Sequence, residues 1–99
     1  MEELTRRQQY RRVLKALKQY EPHALVWGTR ERKGRGCCAL GAYAKLTYRD
    51  AHDPCEELDG VRVTISRVND ADYDESRADR YARVVQWLET QVKCEEGTR

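Results

Sequence analysis

Phenylalanine is missing altogether, methionine occurs once, and histidine and proline occur twice each. The large core side chains must therefore come from six Tyr, two Trp and the Leu/Val/Ile set. No stretch approaches the roughly 20 consecutive apolar residues that span a bilayer, so no membrane partner is expected. Met1-Glu2-Glu3 leads into a charged helical pattern rather than an apolar run, which is no secretory signal. The expected location is the cytoplasm, where the four cysteines at 37, 38, 55 and 94 stay free thiols rather than a disulfide framework. None of them forms a C-x-x-C pair, and no repeat, low-complexity tract, helix-turn-helix, zinc-finger or RNA-binding signature is present. The acidic stretch 69–75 lacks the turn glycine of a calcium-binding loop.

What is present fits one small domain spanning 1–99, with 39% hydrophobic and 36% charged residues. A chain of this size folds alone but has little stability to spare. Charge is unevenly placed. Residues 1–49 hold 12 Lys/Arg against 4 acids, a net of +8, while 50–99 hold 7 against 13, a net of −6. The longest apolar passage runs from Gly36 to Tyr48 and carries one charge, Lys45. Read as a helix, it is apolar all round and belongs in the interior. Gly41, Ala42 and Ala44 are small enough there for neighbouring backbone to come close.

The spacing of Tyr10, Val13, Leu14, Leu17 and Tyr20 predicts an amphipathic helix over 4–20, stopped by Pro22. Glu2 and Glu3 favour its positive end. Leu4 in the stripe points to a frayed start, with Thr5 a cap only if the helix begins late. Residues 23–28 are a short apolar segment, and Thr29 to Arg35 a basic loop around Gly34. The central helix is expected over 37–49, then a surface connection over 50–60. Val61-Arg62-Val63-Thr64-Ile65-Ser66 alternates and is β-branched, a strand signal. Ser76 with Asp79 resembles a capping box opening a third helix over 76–93, with 94–99 a frayed tail. The fold class is mainly α to α+β: three helices around the Cys37 helix, with 23–27 and 61–66 the candidate strands of a short ribbon.

Trp27, the run Gly36-Cys37-Cys38-Ala39-Leu40-Gly41-Ala42, and Asn69-Asp70 before a last helix resemble small uncharacterised domains of actinobacteria and their phages. Those share a Cys-x-x-Gly-Ala helix start and a later Asn-Asp. The resemblance implies a phage or mobile-element context and no activity.

Four constellations bear on chemistry. Cys37 or Cys38 at a helix start, with Asn69 and Asp70, has the makings of an activated thiolate. A thiol enzyme also needs a base, and only His23 and His52 are on offer. The interior reading makes both cysteines small buried apolar residues, with Asn69 or Asp70 accepting hydrogen bonds from the first N–H groups of the central helix. A metal site drawn from Cys37, Cys38, Cys55, Cys94, His23 and His52 has one suitably spaced pair, His52 and Cys55, so no metal and no cofactor is expected.

Arg7, Arg11, Lys15 and Lys18 make a basic stripe on the first helix, continued by Arg30, Arg32, Lys33 and Arg35 in the loop. That face suits phosphate or an acidic partner, or is solvated and balanced by the acidic half. Tyr73, flanked by Asp72 and Asp74, and Trp87, off the main helical stripe, are either partner anchors or ordinary core and loop residues. The leading expectation is a non-enzymatic binding protein or inhibitor directed at a host protein. Its contacts are Arg7, Arg11, Lys15, Arg30, Arg32, Lys33 and Arg35 and the acidic loop at Asp72, Tyr73 and Asp74. Nucleic-acid binding is the second expectation and a thiol enzyme the third.

Overall fold

A computed structural model describes residues 4–21, 23–34 and 36–97, the last four as backbone alone. Expectations placed on Glu2, Glu3, Pro22, Arg35, the Cys94 side chain and residues 98–99 lie outside the described residues. The class is as expected: mostly helical, with four helices and a two-stranded antiparallel sheet. In chain order these are α1 (Arg6–Gln19), β1 (Glu31–Arg32), β2 (Gly36–Cys37), α2 (Ala39–Tyr48), a 3-10 turn (Glu56–Leu58), α3 (Arg62–Asn69) and α4 (Arg77–Gly97).

Helix α1 starts sharply rather than fraying. Thr5 Oγ1 accepts from Gln8 N–H at 3.1 Å, and Gln8 Oε1 accepts from Thr5 N–H at 2.8 Å. This reciprocal pair satisfies two donors that a helix start otherwise leaves open. The apolar face then buries Tyr10, Val13, Leu17 and Tyr20, chiefly against α4 and then α2.

The central helix is shorter than the apolar run. Cys37 belongs to β2, where it pairs with Glu31, and Cys38 is the N-cap of α2. Every residue from Cys37 to Ala44 is buried, whereas Lys45 to Tyr48 emerge into solvent. The small residues have the use expected of them. A Cβ on Gly41 would stand 1.7 Å from the Arg30 carbonyl oxygen, because the backbone entering the β-ribbon crosses the first turn of α2.

The ribbon itself lies elsewhere than expected, at 31–32 with 36–37 instead of 23–27 with 61–66. Residues 62–69 are helical. Val61 and Ile65 are buried at 1% exposure, as is Asn69, while Val63 is 63% exposed. The burial period is therefore four, not two, and the β-branched run obeys its tertiary setting rather than its propensity. Segment 23–27 had no need of a strand partner there, since Leu25 N–H donates to Arg77 O and Val26 N–H to Cys37 O.

Helix α4 begins behind Ser76, whose Oγ accepts from Asp79 N–H at 3.1 Å, and continues to Gly97, four residues beyond the expected limit of 93. Val84 and Leu88 are fully buried, and Trp87 packs edge-on against Tyr10 at 5.2 Å, partly buried against the core. Among the described residues no helix is long and apolar enough to cross a membrane.

Candidate functional site

The Asn-Asp pair at the end of α3 is the hub from which the site is built. Asn69 Oδ1 accepts the Ala39 N–H at the start of α2 (3.0 Å), and Asn69 Nδ2 donates to Val26 O (2.9 Å) and to Asp70 Oδ1 (2.8 Å). Asp70 Oδ1 also accepts Gly28 N–H at 2.9 Å, and the Asp70 carbonyl accepts the Trp27 indole N–H at 3.1 Å. One buried amide thus ties α3, α2 and the 26–28 segment together, as the interior reading expects.

The cysteines beside it are enclosed. Cys37 is fully buried and Cys38 nearly so, and Cys38 Sγ accepts the Gly41 N–H at 3.4 Å. Burial pushes the Cys38 thiol above its ordinary value, more than the amides of Gly41 and Leu40 bring it down. His23 is on the surface, stacked on Tyr81 at 5.0 Å, and His52 is exposed. Among the described residues no three His, Cys, Asp or Glu side chains are grouped to hold a metal ion.

The basic residues divide between α1 and the segment that enters the ribbon. Arg11 and Lys15 are exposed and Arg7 half-buried along α1, while Lys18 pairs with Glu89 at 3.3 Å. Near the N-terminal end of α1 Gln9 Nε2 donates to the carbonyls of Glu57 and Asp59; at the C-terminal end Tyr20 Oη accepts from Cys37 N–H beside the ribbon. Eleven residues of helical rise separate these ends by roughly 16 Å, and Arg7 and Arg11 lie toward the end away from the ribbon. Arg30 is a structural staple: its Nη1 donates to the carbonyls of Ala51 and Asp53 at 3.0 and 2.7 Å. Beside α1, the Tyr43 and Tyr48 hydroxyls both donate to Glu57 Oε2, at 2.5 and 2.6 Å.

The acidic loop is largely occupied from within. Glu75 is gripped by Arg83 through Nε and Nη2 at 2.9 to 3.1 Å, and that fork holds its carboxyl below the ordinary value. Arg83 Nη1 also donates to Val68 O. Arg80 is 2% exposed, donating from Nη1 to Leu25 O (3.3 Å) and from Nη2 to Asp72 O (2.6 Å). Sequence reasoning missed both arginines. A signal existed for Arg80, which falls in the 80, 84, 88 row with the buried Val84 and Leu88.

What this bracing holds in place is a hollow of about 840 Å³ bounded by segment 24–27, β1, the 73–75 turn and the first turn of α4. Trp27 and Tyr73 meet there edge to face, with centroids 5.0 Å apart, and are 37% and 71% exposed. Arg32 and Asp74 also line it. Of the residues expected in a binding site, the structure therefore gathers Arg32, Tyr73 and Asp74 and adds Trp27. Asp72 is exposed on the same turn, its Oδ1 accepting Asp74 N–H, and Lys33 lies at the exposed tip of the ribbon. No protein-family model, curated protein or solved structure matches the chain.

Proposed function

We propose that this chain is a small non-enzymatic binding protein, a cytoplasmic accessory of a phage or mobile element, that grips a host protein in the Trp27–Tyr73 hollow. One observation carries the reading: two large aromatic rings are held partly in solvent, against each other, at the edge of the hollow. Exposed apolar rings gain nothing from the fold that they would not gain more fully by burial against another surface. Trp and Tyr offer wide contact area with few rotatable bonds, and they dominate the energetics of protein interfaces. The indole is already restrained by its bond to the Asp70 carbonyl, so little ordering remains to oppose binding. Arg32 and Asp74 supply charge of both signs, which favours one docked orientation over others.

The test is affinity capture from an actinobacterial lysate with the native chain and with Tyr73→Ala and Lys15→Glu. The recovered protein is then purified and titrated directly. A partner held by native and Lys15→Glu protein but lost with Tyr73→Ala supports the reading. Equal retention by Tyr73→Ala refutes it. Nucleic-acid binding is the second reading, supported by Arg11 and Lys15 lying exposed on α1. It calls for affinity that falls steeply with salt and is lost in Lys15→Glu.

A further inference from the structure

We infer that the segment received by the hollow is acidic, a partner strand that sets one Asp or Glu carboxylate against Arg80 and the start of α4 and an apolar or aromatic side chain on Trp27 and Tyr73. This rests on the protein-binding reading above and names the chemistry of the partner. The first observation is Arg80. It forms part of the lining of the hollow and is almost wholly enclosed, yet its Nε has no hydrogen-bond partner. The nearest counter-charge, Glu75 Oε1, stands 3.8 Å away and is already taken by the Arg83 fork. A buried guanidinium short of one acceptor leaves positive charge under-compensated at the floor of the hollow, and because Nε itself is closed to solvent a carboxylate there answers that charge through space rather than by a bond to Nε.

The second observation is the first turn of α4, where Ser76, Arg77 and Ala78 line the same hollow. The Asp79 N–H is satisfied by Ser76 Oγ. The positive end of this 21-residue helix still faces the space that a ligand would fill. Arg32, exposed on the ribbon, adds a further cation at the rim. Against these cations stand Asp74, which is exposed, and Glu75, which Arg83 neutralises, with Asp72 on the same turn and Asp79 in the first turn of α4 exposed outside the lining. The excess is small. It suits one carboxylate, whereas Asp74 repels a polyanion such as a nucleic-acid backbone. The aromatic pair supplies what a bare anion would not use, an apolar platform adjoining the cationic floor. A hollow of about 840 Å³ accommodates two neighbouring side chains of an extended strand.

The experiment is selection of a random dodecapeptide display library on the full chain and, in parallel, on Tyr73→Ala. A winning peptide is then synthesised with each acid changed to its amide and titrated against native, Arg32→Gln and Arg80→Gln protein, with a single-stranded oligonucleotide as a further probe. Arg32 is exposed, so its change leaves the fold intact; Arg80→Gln is used only if its melting curve shows a folded protein. The expected result is Tyr73-dependent enrichment of peptides pairing Asp or Glu with an aromatic or aliphatic neighbour. The acid-to-amide change and Arg32→Gln should each weaken binding, the former tenfold or more. Tyr73-dependent peptides that are neutral or basic, or that bind the amide form equally, overturn the inference and leave the protein-binding reading standing. A library that yields no Tyr73-dependent peptide overturns both, as does tighter Tyr73-dependent binding of the oligonucleotide.

Discussion

Replacing Asn69 by alanine is expected to destabilise the fold more than any other single polar change in the hub. The side chain is 1% exposed and makes three hydrogen bonds, two of them to backbone. Truncation strands the Ala39 N–H, in a residue with no exposure, and the Val26 carbonyl, in a residue 3% exposed. A buried polar group left without a partner costs about 1–3 kcal/mol, so the two together cost about 3–4 kcal/mol. For a chain of this length each kcal/mol moves the midpoint by about 4–8 °C, giving a fall of roughly 12–32 °C. Thermal and urea unfolding followed by circular dichroism read this directly. Asn69→Asp keeps an acceptor for Ala39 but turns an oxygen toward the Val26 carbonyl and Asp70, so it should rescue little. Asp70→Ala loses bonds in a more exposed place and should cost about 1 kcal/mol, since the Trp27 indole is held by the Asp70 backbone, which survives. An Asn69→Ala protein within about 0.5 kcal/mol of native, or one less damaged than Asp70→Ala, would refute the account of the hub.

Three further outcomes follow from the structure. Gly41→Ala places a methyl 1.7 Å from the Arg30 carbonyl oxygen, and because backbone is the obstacle the loss should reach about 3 kcal/mol; urea unfolding indistinguishable from native would mean that ribbon and helix do not cross there. Burial tends to raise the Glu57 carboxyl, but the Tyr43 and Tyr48 hydroxyls outweigh it, and Arg83 lowers Glu75, so both lie below the ordinary 4.5. Their contribution is complete above that value and is lost as pH falls through the depressed values, so native stability should drop more steeply below about pH 4.5 than that of Glu75→Gln; parallel curves would count against the Glu75–Arg83 fork. In a Cys94→Ser background, iodoacetamide at neutral pH should leave Cys37, Cys38 and Cys55 unlabelled in native protein and label all three in urea, because all are buried. Native labelling of Cys38 would revive the thiol-enzyme expectation.

Much of the fold was legible because it depends on spacing along one segment. The stripe Tyr10, Val13, Leu17 and Tyr20 marks the buried face of α1 wherever that helix finally docks. Ser76 opens α4 through a bond three residues long, and a polar pair such as Asn69-Asp70 is a natural acceptor for a helix start. The small residues of α2 announced a close approach, though not that Arg30 would make it. The ribbon was not legible, since two-residue strands carry no period. Residues 61–66 misled because β-branched alternation says strand when no tertiary contact is considered, and the contacts made by Val61, Ile65 and Asn69 say otherwise.

The candidate site divides along the same line. Arg32, Tyr73 and Asp74 are recognisable singly as exposed, chemically able residues, but nothing local sets Trp27 beside Tyr73 or brings Arg32 to the same hollow. Sequence alone determined the apolar faces of α1 and α4 and the polar class of the chain, because hydrophobic periodicity is a property of neighbours three and four residues apart, and the unbroken apolar run from Gly36 pointed Cys37 and Cys38 to the interior. Tertiary structure alone decided which carbonyls receive Arg30 and Arg80, and hence where the hollow forms. A buried cation must be satisfied by whatever acceptors the packing brings within reach, and those come from segments that are distant in the chain.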